Sequence, residues 1–280
     1  MKSFKTYIQE ESQKGYQYEA NVATALKQKG WIKPGYTPAG ASSDRPDLDI
    51  FINNREYGVE LKILPASSGS LVIHYNGPRE GYTLGNPGNN EEKVFLHELA
   101  EQNKVIKKIE SEWEGQPFIQ SNRDQEWVDR VKESGLTLRQ RYDYDVKNFK
   151  DIYFELPKDA ISYYYNLKKT YYINVGTHGF YLLGNKDPAG FNSVSSPKVP
   201  LWDNNHRAVL RVRIQSKGVS KAQKQEELRG WPHTGGQGYQ ITMEIQFRSV
   251  KSSPYNIGPI LNRKSVDVDP DSLILPEVPQ

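Results

Sequence analysis

Apolar positions recur along the chain with two different periods, and the change from one to the other marks the elements. Residues 3–29 carry apolar side chains at helical spacing, with a break or kink expected near Gly15 and a stop at Gly30. Residues 47–52 and 56–63 alternate instead, with Leu48, Ile50 and Ile52 on one face and Val59, Leu61 and Ile63 on one face of the next strand. Asn53-Asn54 between them is a good tight-turn pair. Residues 71–75 predict a third strand, and the Gly-, Pro- and Asn-containing stretch 76–90 a loop.

Phe95, Leu99, Gln102, Ile106, Ile109 and Trp113 then fall at helical spacing and predict one long helix over 91–113. Residues 114–150 are polar and charged, with a short helix expected at 124–133. Beyond them the period returns to two. Residues 171–175 and 179–183 form a hairpin pattern around Gly176-Thr177-His178, and 207–215 and 239–248 alternate as strands do. The chain therefore divides, in expectation, into residues 1–150 and a mainly β portion, 151–280, with an extended or partly disordered acidic tail from Val266.

Composition narrows this picture modestly. The chain has 280 residues, enough for one large domain or two smaller ones, with 36% hydrophobic and 25% charged residues and 18 tyrosines. The absence of cysteine excludes disulfides and Cys-based zinc sites. A net charge of +3 permits a polyanionic partner without demanding one. The N-terminus shows no signal-peptide pattern, and no stretch approaches a membrane span, so a cytoplasmic location is the default expectation.

Chemistry concentrates between residues 43 and 63. Asp47 and Asp49 share the polar face of the first strand, and Glu60 and Lys62 that of the second. A two-residue Asn53-Asn54 turn pairs 52 with 55 and 50 with 57, and so sets Asp47 opposite Glu60. A four-residue turn sets Asp49 there instead, and the sequence leaves both registers open. Facing side chains stand about 4.5–5.5 Å apart at Cβ, near enough for two carboxylates to grip one cation. Without a cation they repel. Mg²⁺ suits such a pair, with Mn²⁺ able to stand in, because it takes one or two carboxylates and keeps waters and phosphate oxygens as its other ligands. Lys62, on the same face, can orient or deprotonate an attacking water or stabilise charge on a reacting phosphate. The competing reading is a solvated, salt-bridged sheet face. Asp49 reads as an acid outside direct ligation or a partner of Arg45, Ser43 and Asp44 as strand-entry residues, and Ser67 to Ser70 as a plain turn.

Pro46-Asp47 followed by Glu60-Leu61-Lys62 on a hairpin resembles the PD-(D/E)xK nuclease superfamily over roughly residues 10–110. The resemblance implies a restriction-endonuclease-like α/β core, a mixed sheet flanked by helices. It implies an Mg²⁺-dependent DNA endonuclease of restriction, phage or mobile-element type, acting on double-stranded DNA, with Asp47, Glu60 and Lys62 as its catalytic set. In many members an acid on the first helix joins the metal. The segment 14–26 resembles that helix, with Glu19 beside Val22, Ala23 and Leu26 on one face. A homodimer is compatible with the resemblance. A junction-selective nuclease and a non-catalytic DNA-binding module with a nuclease-like fold are the alternatives. No nucleotide-binding G-x-x-x-x-G-K-[ST] segment is present.

The resemblance leaves the second half unexplained. Arg211, Arg213, Lys217, Lys221 and Lys224 make its most basic run, suited to DNA phosphates, and the mainly β portion is expected to bind or read DNA or to dimerise. Glu244 on the neighbouring strand offers the alternative of an internal ion pair for Arg211 or Arg213. Tyr163, Tyr164, Tyr165, Tyr171 and Tyr172 read as sheet and core material before base-stacking groups.

Overall fold

The computed structural model describes residues 4–36, 45–63, 67–202, 208–216, 239–247, 252–258 and 270–280, the side chains of residues 4–14 and 16 excepted. Two compact units interleave along the chain. One comprises residues 1–66, 156–208 and 247–280, the other 67–155 and 209–246. The chain thus passes between units four times, where the pattern of periods suggested one change near residue 150. Strands adjacent in sequence pair with partners far along the chain, which local periodicity does not reveal.

The first unit begins with α1 (Phe4–Gln28), which runs unbroken through Gly15 and stops before Gly30 at φ +75°. A single helical glycine costs only about 1 kcal/mol relative to alanine, too little by itself to end a helix. Five strands follow in this unit: β1 (Leu48–Ile52), β2 (Arg55–Lys62), and further along the chain β6 (Thr170–Val175), β7 (Gly179–Leu183) and β8 (Leu201–Trp202). They form a mixed sheet ordered β1-β2-β6-β7-β8. The β1–β2 and β6–β7 pairs are antiparallel, while β2–β6 and β7–β8 are parallel. Among the described residues helices α6 (Ala160–Leu167) and α7 (Phe191–Val194) also belong to this unit.

Its core forms where α1 lays Tyr18, Val22, Ala25 and Leu26 against Leu48, Ile50, Val59, Leu61, Tyr172, Phe180 and Phe191. The C-terminal arm joins this core through Leu273, and Ile274 pairs with Asn256, so the acidic tail ends in an extended but docked segment. Val266 lies outside the described residues.

The second unit holds β3 (Ser67–Tyr75), β4 (Tyr82–Leu84), β5 (Ile152–Glu155), β9 (Ala208–Ser216) and β10 (Tyr239–Phe247) in the order β4-β3-β10-β9-β5. Residues Ser67 to Ser70 are therefore strand, not turn. Ser67 and Ser68 pair with Gln246 and Ile245 beside a bulge, and Gly69 at φ +63° accommodates it. The long helix expected over 91–113 is two, α2 (Glu91–Gln102) and α3 (Val105–Glu112), because Lys104 adopts a left-handed φ of +53°. The expected short helix is α4 (Gln125–Ser134), capped by Asp124. A further helix, α5 (Leu138–Asn148), starts at a capping box made by Thr137 and Gln140. Asp145 on α5 is fully buried and accepts from the Phe118 and Ile119 amides and the Tyr239 hydroxyl, which ties the loop before α4 and β10 to this helix. No helix among the described residues is long and apolar enough to cross a membrane.

Candidate active site

The β1–β2 hairpin builds the site. Asn53 and Asn54 both take positive φ, 49° and 64°, the conformation of a two-residue turn whose twist matches the strands. This fixes Ile52 opposite Arg55, Ile50 opposite Tyr57 and Leu48 opposite Val59. Continued one step, the register places Asp47 at Glu60; Asp49 pairs with Gly58, which excludes the four-residue turn. Pro46 reinforces the register. It packs over Gly58 so closely that a Cβ there would come within 2.8 Å of the Pro46 ring. A larger residue at 58 would displace Pro46 and disturb the neighbouring Asp47 contact with the Leu61 amide.

Asp47 Oδ2 accepts the Leu61 amide at 2.9 Å. Lys62 Nζ lies 3.7 Å from that same oxygen and donates to Glu60 Oε1. One ammonium therefore reaches both carboxylates. Glu60 is 3% exposed, and although Tyr165 also donates to Oε1, at 3.3 Å, its Oε2 has no hydrogen-bond partner among the described residues. Lys168 Nζ lies 3.8 Å from Oε2. Tyr165 and Lys168 come from the end of α6, beside β6, whose parallel pairing sets Glu60 at Ile173. Sequence reasoning missed both residues. The tyrosine cluster read as sheet and core material: Tyr171 and Tyr172 are in strand β6, whereas Tyr163, Tyr164 and Tyr165 are helical, with Tyr164 and Tyr165 buried and Tyr163 exposed.

Glu19, half-buried on α1, completes the acidic group. Burial raises its carboxyl to about 7, and the Asp47 and Glu60 charges push the same way against the pull of Lys62. Burial likewise raises Asp47, with Lys62 opposing and Glu60 adding to the rise. Burial works against the Lys62 ammonium, but Glu60, Tyr165 and Asp47 more than offset it and hold it well above the usual lysine range. Asp49 stands apart: its amide donates to the Tyr36 hydroxyl at 2.8 Å, and that hydroxyl contacts its carboxylate at 3.5 Å.

The donor atoms are carboxylate oxygens, the type a hard divalent cation takes. Three mutually repelling acids, one of them with an orphaned buried oxygen, are what such an ion would neutralise. The side chains are drawn in on lysine instead, and among the described residues no three His, Asp or Glu side chains stand at metal-holding spacing.

The basic run of the second unit is arranged otherwise. Arg211 donates to Glu244 Oε1 through Nε at 3.0 Å and also through Nη2. Arg213 Nη2 reaches Glu244 Oε2 at 3.5 Å, with Nε 3.0 Å from Oε1 but off the hydrogen-bond line. The internal ion pair therefore engages both arginines. Lys217, Lys221 and Lys224 lie outside the described residues, as do Ser43 and Asp44.

No protein-family model matches the chain, and no curated protein matches it. Among solved structures it is similar to HhaI endonuclease in complex with DNA, at 11% identity and a TM-score of 0.40, covering 84% of this chain and 92% of that one. At that TM-score the likeness assigns neither a family nor a chemistry.

Proposed function

We propose that this protein is an Mg²⁺-dependent DNA endonuclease that hydrolyses phosphodiester bonds in double-stranded DNA. The observation that carries the reading is the hairpin register, which sets Asp47 and Glu60 on one side of the sheet within reach of the single Lys62 ammonium. Asp47 and Glu60 would hold the metal, with Glu19 behind them. Bound Mg²⁺ polarises a phosphate and lowers the pKa of its water. Lys62, held protonated beside Glu60, enters as a positive charge for the phosphate oxygens rather than as a base. Burial around Glu60 thins the water and strengthens each of these charges.

The test uses the full chain with linear duplex DNA and with a four-way junction, in Mg²⁺ and in Mg²⁺ with EDTA. The expected result is cutting of linear duplex that EDTA abolishes and that Glu60→Gln loses. Cutting confined to the junction reassigns the protein to branched substrates. DNA binding with no cutting under any divalent ion leaves a non-catalytic module and ends the nuclease reading.

A further inference from the structure

Tyr165 in the last turn of α6 and Lys168 at its C-cap lie three residues apart. Both reach Glu60, one at each oxygen. The Lys168 side chain is only 8% exposed. A lysine stem is long enough to bring its charge to water, and lysines stay inside only when paired. Its charge is felt at Asp47 as well, where it favours the ionised form. The 3.8 Å separation from Glu60 Oε2 is that of an ion pair rather than a hydrogen bond.

We propose that Lys168 is a positioning residue: an internal counter-cation that holds Glu60 in the metal-free protein and that a divalent ion displaces. The inference rests on the metal-holding role of Glu60 given above. The contact is electrostatic and undirected, made by a flexible stem with rotatable donors, so it can be exchanged without dismantling the helix. A hard divalent ion binds carboxylate oxygen at roughly 2.1 Å, inside the reach of the ammonium. Metal loading is then a competition between the cations at Glu60, and the competition has a sign. Removing the Lys168 charge tightens metal binding. A lysine that only supports the fold predicts the reverse, with metal affinity and stability falling together.

Isothermal titration of the full chain with Mn²⁺, without DNA, reads that sign, and thermal melting reports folding. Lys168→Met keeps the apolar stem and should bind Mn²⁺ about tenfold more tightly than wild type, while Lys168→Arg stays within about twofold. Tyr165→Phe removes a hydrogen bond but no cation and should bring no tightening. Unchanged or weaker binding by a folded K168M overturns the inference, as does equal tightening by K168R. Should K168M not fold, Lys168→Gln removes the same charge, and the same tightening is required of it. Wild-type protein that binds no Mn²⁺ overturns this inference and the nuclease reading together. Wild-type binding left unchanged by K168M sinks this inference alone.

Discussion

Two buried glutamates, Glu60 in one unit and Glu244 in the other, are each 3% exposed and each flanked by two basic side chains. The groups around them differ. Glu244 has a donor on each oxygen, and with Asp151 3.8 Å from Arg211 the cluster holds two acids and two arginines. Among the described residues Glu60 has one oxygen without a hydrogen-bond donor, and its cluster holds three acids against two lysines. Balanced charge with forked guanidinium bonding stabilises a sheet. An excess of acid, an orphaned oxygen and flexible point charges leave room for something to bind.

The largest effect should separate the two clusters by activity. Asp47→Asn, Glu60→Gln or Lys62→Ala should each lower cleavage of duplex DNA by at least ~10²-fold while the protein melts as a folded chain. Glu244→Gln should leave the per-molecule rate of the remaining folded protein within a few-fold, since Glu244 is engaged by Arg211 and Arg213 of its own sheet. Equal losses from both sets in a single-turnover assay would erase the contrast.

Stability should divide them the other way. Glu244→Gln strands two partly buried guanidiniums and should cost about 3–5 kcal/mol in denaturant unfolding, the range for breaking a buried ion pair. The same measurement on Arg213→Met, which still leaves Arg211 on Glu244, should give a smaller loss. A Glu244→Gln protein as stable as wild type would mean that the arginines are free to serve DNA phosphates after all.

The local half of the site was legible because its geometry is local. Asn53-Asn54 admits a two-residue turn, the turn sets the register, and the register brings together residues 13 and 15 positions apart. Glu19 was legible because Val22 and Leu26 mark the face it shares. Tyr165 and Lys168 were not, since they reach Glu60 through the parallel pairing of β2 with β6, more than a hundred residues along the chain. The interleaving of the units escaped for the same reason: β3 pairs with β10, and alternation in each strand names no partner. The break at Lys104 is a left-handed residue with no glycine to announce it. Thr137 and Gln140 did carry a cap signature, but in a stretch too polar to read as an element.

The smallest effect tests whether the acid excess is real. Glu19 titrates at about 7 in the folded protein against an ordinary value of 4.5. Between those values the folded chain holds a proton that the unfolded chain has released. Glu19 therefore makes stability fall as pH rises through this window, and its contribution is flat above it. Asp47 is raised too, and Asp145 reaches about 6 through burial, so the wild-type slope has several sources. The difference between wild type and Glu19→Gln isolates one. The two should melt alike near pH 4.5, and the variant should melt a few degrees higher at pH 8. Saturating Mg²⁺ should shrink that advantage, because the ion offsets the Asp47 and Glu60 repulsion that adds to the cost of burying Glu19. An E19Q protein with the wild-type slope, or one whose advantage Mg²⁺ leaves intact, would place Glu19 outside the Glu60 group and reduce that cluster to two acids balanced by two lysines, the same even charge found around Glu244.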